Sequence, residues 1–547
     1  MKKFSTTQWF CKVFKALVML SIYSILCSCS LASISNGLEV KISQSTADAL
    51  TQFDTVSYLG KTSSTGDSLA FFGVPFAKAP IGDLRWAKPQ RLEVSDLEHD
   101  KRPVDAKDFA AACLQGEHLA DWYKNLIQSF SGDPSKFPDP EYSEDCLYLN
   151  IWAPLKSKPS SSKKRPVLVF IHGGSNKGGW SYEPNYIGEQ FASRDAVVVS
   201  IAYRLGAFGY FSHPGLDQAN FGLLDQIEAL RWIVRNIANV GGDPSNITVA
   251  GESSGAHNII QLLASPLATN LFQRAVVQSG GWAMYGTATK KSAEHTGLAL
   301  VSSLIDDQHV EENSDDITKL RKLSASAILE KANEVYQGLS FAPVIDGDSV
   351  IQTMQQAVNA GELAKIDLII GSNANEGLMY VDPSNTLEKW LSSNAPETKL
   401  SDIKKYLSSD GSLRNHLDEL STAFDFTCPS LMLAEAMSER GGRSWVYQFT
   451  KTRDGELGDA MGAYHGAELP YVFNTHDDWL PTSQTDQMLT QSIMTYWASF
   501  TQYGDPNGGS EATWPLFKGQ GSSVQILGSR IYSQPHPSEA LCAALAN

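Results

Sequence analysis

The chain has 547 residues, 42% of them hydrophobic and 19% charged, with 12 Trp and 23 Phe. That composition builds a large core and excludes a disordered chain. Lys and Arg number 44 against 60 Asp and Glu, a formal net charge of −16, which lacks the basic footprint of a nucleic-acid binder and opposes contact with an anionic membrane surface.

The N-terminus carries Lys2, Lys3, Lys12 and Lys15 with no acid, then an almost wholly apolar run over 16–26, then Ser30 and Ala32. A basic, apolar and small-residue order reads as a secretory signal peptide over residues 1–32. Two alternatives use the same residues. One is lipoprotein processing at Cys29. The other is an uncleaved anchor, for which the run is short. No later run reaches the ~18 apolar residues of a membrane span. The expectation is an exported protein, periplasmic or secreted.

Cys11, Cys27 and Cys29 fall in that leader; Cys113, Cys146, Cys428 and Cys542 remain. In an oxidising compartment four cysteines pair in three ways. Sequence-local pairing gives Cys113–Cys146 and Cys428–Cys542; the alternative is four buried free thiols. No Cys or His cluster has metal-ligand spacing, and no cofactor is expected.

A Ser- and Lys-rich turn at 156–164 precedes the first apolar run, 166–171. Similar runs follow at 196–201, 247–250, 275–277 and 366–370, each suited to a strand buried on both faces. Between the second and third, Leu223, Leu224, Ile227, Leu230, Ile233, Val234 and Ile237 share one helical face and predict a helix over 223–240. Strands alternating with helices predict an α/β fold, a mostly parallel sheet covered on both sides. No Pro/Gly/Ser-rich linker interrupts the pattern, so residues 33–547 read as one domain.

Gly251-Glu252-Ser253-Ser254-Gly255 follows the third strand and leads into an apolar helical stretch. G-x-S-x-G between strand and helix makes a tight turn that projects the serine hydroxyl from the sheet's carboxyl edge. A serine needs a base to take its proton and donors for the developing oxyanion. His172-Gly173-Gly174-Ser175, directly after the 166–171 strand, offers closely approaching backbone N–H groups.

Those segments resemble the type-B carboxylesterase and cholinesterase family, an α/β-hydrolase fold. So do Glu144-Asp145-Cys146-Leu147-Tyr148-Leu149-Asn150, Asn220-Phe221-Gly222-Leu223-Leu224-Asp225-Gln226 and Gly241-Gly242-Asp243-Pro244. The motifs keep their order from about Val56 to Cys542. The resemblance implies a serine carboxylesterase acting on a small-molecule ester. It implies Glu376, in Gly371-Ser372-Asn373-Ala374-Asn375-Glu376-Gly377, as the triad acid. His465, in His465-Gly466-Ala467-Glu468, is implied as the base. The chain order Ser253, Glu376, His465 is the α/β-hydrolase order. Gly174, Ser175 and Ser254 are implied as oxyanion donors. Amide or carbamate hydrolysis would use the same groups, and a non-catalytic recognition module is the remaining alternative.

The chain departs from the family pattern at Ser175, where Gly or Ala is usual, at Asn176-Lys177, where an aromatic is usual, and at Ser254, where Ala is commoner. The cholinesterase acyl-pocket aromatics correspond to Gln337 and Leu339, and Trp122 is out of register with the choline-site Trp. A choline ester is therefore disfavoured. Trp282, Met284 and Tyr285 are candidate pocket residues. His172 and His257 lie near the motifs and read as scaffold residues.

Overall fold

The continuous aliphatic runs become the middle of a sheet. In a computed structural model, which describes residues 41–42, 48–97, 103–155, 164–305, 314–395, 397–408, 411–509 and 511–546, the sheet is formed by twelve main strands. These are β1 (Asp48–Phe53), β2 (Val56–Thr62), β3 (Ser68–Pro75), β4 (Tyr148–Pro154), β5 (Arg165–Ile171) and β6 (Val197–Ile201), then β7 (Gly242–Glu252), β8 (Arg274–Gln278), β9 (Asp367–Asn373), β10 (Ser444–Phe449), β11 (Ser523–Leu527) and β12 (Ile531–Pro535). The short strands Lys41–Ile42 and Val104–Asp105 bring it to 14. The signal-peptide reading, Cys29 included, lies outside the described residues.

The order is β1-β2-β3-β4-β6-β5-β7-β8-β9-β10-β11-β12. From β6 to β11 neighbours pair in parallel. β1 to β4 and β12 add antiparallel margins. The order reverses at β5, which lies between β6 and β7, and ligands bind outside the carboxyl ends of strands at such a reversal.

Leu168, Phe170, Val198, Ala250, Val276 and Ile369 take one face of the sheet and join Leu489, Ile493, Tyr496, Trp497 and Phe500 in a buried cluster. Val167, Val169 and Ile171 alternate to the other face and are equally buried, as a period of two requires. The helices that position the site are α1 (Phe221–Asn236), α2 (Ser254–Ala264), α3 (Cys428–Glu439), α4 (Gln484–Tyr503) and α5 (Glu539–Leu545). α1 is shorter than its apolar periodicity predicts: residues Ile237–Val240 tighten into a 3-10 turn that ends at Gly241 with φ 84°. The buried Asp225 of α1 accepts from Arg204 Nε at 2.8 Å and Nη2 at 2.7 Å, a bidentate pair that neutralises both groups.

Disulfides join Cys113 to Cys146 and Cys428 to Cys542. The second ties the first residue of α3 to α5 across 114 residues. Closing so long a loop removes unfolded-state entropy, so a Cys428→Ala/Cys542→Ala variant is expected to lose about 2–5 kcal/mol of stability. A lowered urea midpoint, read beside the parent, checks this.

Candidate active site

β7 ends at Glu252 and α2 begins at Ser254, leaving Ser253 alone to reverse the chain. Its backbone sits at φ 55°, ψ −127°, a strained conformation for a residue with a side chain. Two glycines make the turn possible. A Cβ on Gly255 would lie 2.1 Å from Ile171 O, and one on Gly251 2.9 Å from the same atom. Ser253 N donates to Gln278 O at 2.9 Å, which fixes the turn to β8.

His465 reaches this serine from the loop before Leu469–Phe473. Its Nε2 lies 2.8 Å from Ser253 Oγ, and its Nδ1 lies 2.6 Å from Glu376 Oε2. A carboxylate only accepts, so Nδ1 carries the proton and Nε2 is left to accept from the hydroxyl. Glu376, fully buried just after β9, is held by its second oxygen. Oε1 accepts from Ser279 Oγ at 2.5 Å and Asn373 N at 2.6 Å.

The β5 loop passes alongside. A Cβ on Gly173 would meet Glu252 Oε2 at 2.7 Å and Ser253 Cβ at 3.0 Å, so only glycine lets the two backbones lie this close. Gly174 has φ 100° and Ser175 φ 58°, both in the left-handed half of backbone space. Among the described residues the N–H groups of Gly174, Ser175 and Ser254 donate to no protein acceptor.

The family departures meet in one buried network. Asn176 N donates to Ser254 Oγ at 3.0 Å. Asn176 Nδ2 donates to Phe341 O at 3.0 Å, and its Oδ1 accepts from Asn258 Nδ2 at 2.8 Å and Tyr210 OH at 3.1 Å. The amide thus pins the Gly174-Ser175 loop to α2. Asn176→Ala is expected to lower kcat about 100-fold, the scale of a lost oxyanion donor, with KM little changed. Separate determination of kcat and KM is the check.

Glu252 was not singled out by motif reasoning beyond its place in G-x-S-x-G. Its Oε1 lies 3.2 Å from His465 Nε2. Burial pushes its carboxyl up to about 8, with His465 opposing. For His465 burial acts downward, but Glu252, Tyr380 and Glu376 outweigh it and raise the imidazole well above its ordinary value. The two groups act on each other: a proton on Glu252 removes its pull on His465. With that proton on Glu252, Nε2 keeps its lone pair for Ser253. The position immediately before the serine was the available signal.

Two cavities flank Ser253 and share Ser175, Tyr380 and His465. One, of about 430 Å³, is lined by Trp282, Trp390, Asp425 and Phe426. The other, of about 280 Å³, is lined by Trp122, Tyr123, Glu183, Glu252 and Trp479. The helix His118–Ser129 inside the Cys113–Cys146 loop therefore walls the smaller cavity. Trp122 reaches that cavity despite its sequence register. Of the other pocket candidates, Trp282 lines the larger cavity, Met284 is buried, and Tyr285 lines a separate hollow beside Cys428 and Cys542.

Gln337 and Leu339 line neither cavity; Leu339 faces a cleft with His257. His172 is buried, stacks on Tyr203 and sits with Nδ1 2.9 Å from Gly173 O. His257 is buried against Trp282, and burial lowers both imidazoles to about 4. Among the described residues no group of three His, Cys, Asp or Glu could hold a metal ion, and no helix is long and apolar enough to cross a membrane.

A serine on a strained strand–helix turn, hydrogen-bonded to a histidine that a carboxylate orients, at the carboxyl edge of a parallel sheet, is the arrangement of a serine hydrolase with the α/β-hydrolase fold. Comparison with known proteins agrees. The model of the carboxylesterase family matches residues 57–536. A cholinesterase of Mus musculus is 31% identical over 534 residues, covering 86% of this chain and 81% of the relative. A para-nitrobenzyl esterase of Bacillus subtilis (strain 168) is 31% identical over 493 residues, covering 85% and 92%. A solved PNB esterase superimposes with a TM-score of 0.76 at 27% identity, covering 91% of this chain and 99% of its own. The chain belongs to the carboxylesterase family, and it is a serine hydrolase of carboxylic esters.

Proposed function

We propose that Ser253 is the nucleophile, His465 the general base and acid, and Glu376 the group that orients the imidazole. Ser253 Oγ attacks the ester carbonyl carbon while its proton passes to His465 Nε2. The carbonyl oxygen becomes an oxyanion facing the N–H groups of Gly174, Ser175 and Ser254. Collapse of that intermediate expels the alcohol, which takes the proton from Nε2. Water then attacks the acyl-Ser253 ester by the same route and releases the acid. Glu376 holds the Nδ1 proton in place and balances the imidazolium charge.

The observation that carries this reading is the unbroken hydrogen-bond chain from Ser253 Oγ through His465 to Glu376 Oε2, at 2.8 Å and 2.6 Å. The substrates are small carboxylic esters. The protein is exported, through a signal peptide over 1–32, to the periplasm or outside the cell, with lipid attachment at Cys29 as the alternative route. Residues 33–547 are the catalytic domain. Both disulfides support an oxidising compartment.

Hydrolysis of p-nitrophenyl esters from acetate to long acyl chains tests the activity. The expected result is turnover with an initial burst of p-nitrophenol equal to the enzyme present when deacylation limits. Folded protein that hydrolyses none of the esters would overturn it.

A further inference from the structure

The larger cavity beside Ser253 holds a charge that the hydrolytic mechanism does not use. Residues Thr422–Thr427 form one turn of π-helix between Leu413–Ser421 and α3. The i to i+5 spacing of such a turn brings Ser421 and Phe426 to the same wall, with Asp425 between them, and all three line the cavity. Asp425 is half-buried, and among the described residues its carboxyl has no hydrogen bond and no ion pair. Burial alone pushes its carboxyl up to about 6. An orphan carboxylate among ring faces is a cost to the folded chain unless something supplies an opposite charge.

The rest of the lining fits such a partner. Trp282, Trp390, Phe426 and Tyr380 present aromatic surface, and among the described residues no Lys or Arg lines the cavity. Asp382 is at the same lining, with its Oδ1 accepting from Ser384 N and Oγ, both at 2.8 Å. The other titratable groups around Asp425 are Tyr285, whose phenol burial raises with the Asp425 charge adding, and Tyr380 and His465 of the same lining. Aromatic faces beside a carboxylate attract an organic cation through ring quadrupole and Coulomb terms together, and the overall charge of −16 favours its approach.

We propose that this cavity receives the part of the ester that carries a protonated amine, with Asp425 as its counter-ion. The inference rests on the esterase reading above and names its substrate class: esters bearing a cationic amine on a short hydrocarbon arm. The arm lies against Trp282, Trp390 and Phe426 while the ammonium group meets Asp425, and the carbonyl remains at Ser253 Oγ.

The test compares p-nitrophenyl 6-aminohexanoate with p-nitrophenyl heptanoate, near-isosteres that differ in one charge. A parallel arm places the amine in the alcohol, as 5-aminopentyl and hexyl butyrates. For parent, Asp425→Asn and Asp425→Glu proteins at neutral pH, the readout is the ratio of kcat/KM for the cationic and neutral members. The parent should favour the cationic member in one arm, and that arm identifies which half of the ester enters the cavity. Asp425→Asn should lower that ratio about tenfold, the scale of one lost ionic contact, and Asp425→Glu should restore most of it. A second readout needs no turnover of the amine: hexylammonium should inhibit heptanoate hydrolysis competitively, with an inhibition constant about tenfold higher in Asp425→Asn. A ratio unchanged in both arms, or rates that fall equally for cationic and neutral esters, would overturn the proposal while leaving the esterase reading intact. Loss of all ester hydrolysis by the parent would instead defeat that reading and this inference with it.

Discussion

Ser253→Ala and His465→Ala are each expected to lower kcat by about 10⁶-fold, and the double variant by no more than either alone. In the proposed mechanism the two side chains act as one unit. Without Nε2 as acceptor the hydroxyl keeps its proton and is a weak nucleophile; without the hydroxyl the imidazole has nothing to activate. The 2.8 Å contact between them is therefore one interaction and not two independent contributions. The residual rate of all three variants should reflect the oxyanion donors and substrate binding, which none of the substitutions touches. Single-turnover kinetics on one activated ester checks this. Multiplying losses in the double variant would mean that the two residues contribute separately.

Glu376→Gln should lower kcat by about 10⁴-fold while the fold stays intact. The carboxylate accepts from Nδ1 on one oxygen and from Ser279 and Asn373 on the other. Asn373 N and Ser279 Oγ are both donors here, so they hold the amide oxygen at the Oε1 position. The amide nitrogen then faces Nδ1. An NH₂ group cannot accept, so the imidazole must turn its lone pair to Nδ1 and its proton to Nε2. That tautomer donates toward Ser253 and cannot take its proton. An unchanged urea midpoint with the lowered kcat would separate this tautomer effect from a packing loss. A loss no larger than tenfold would show that Glu376 is not the orienting group.

Much of this was legible in the chain. The β5 and β6 runs are buried on both faces, and an apolar stretch without alternation has few other places to go. Ser253 was legible because only small neighbours tolerate its turn, and the 2.1 Å approach of a Gly255 Cβ to Ile171 O shows why. Glu376 and His465, far apart in the chain, were reachable through motif resemblance alone, since no local periodicity marks a residue that acts across a sheet edge.

The antiparallel margin from Asp48 to Pro75 carries no clear strand signal because its outer strands are only half-buried and carry Thr, Gln, Ser and Lys among their apolar residues. Asp425 was invisible for a different reason. A π-turn is not a sequence pattern, and a lone acid between two phenylalanines reads as a surface residue until the cavity is seen. Leu339 shows the limit of transferred register. Its place in the family pattern is an acyl pocket, yet here it is half exposed over a cleft shared with His257. The network of Asn176 with Ser254, Asn258 and Tyr210 likewise joins segments that no spacing rule connects, although two of its members were already marked as departures.

The most direct test of the account is the site of covalent capture. Parent protein treated with diethyl p-nitrophenyl phosphate should gain one diethylphosphoryl group, lose its esterase activity in step, and carry the added mass on the peptide containing Ser253. The Ser253→Ala protein should gain none. An adduct on any other residue that accompanies the loss of activity, or a Ser253→Ala protein that still turns over esters, would contradict Ser253 as the nucleophile.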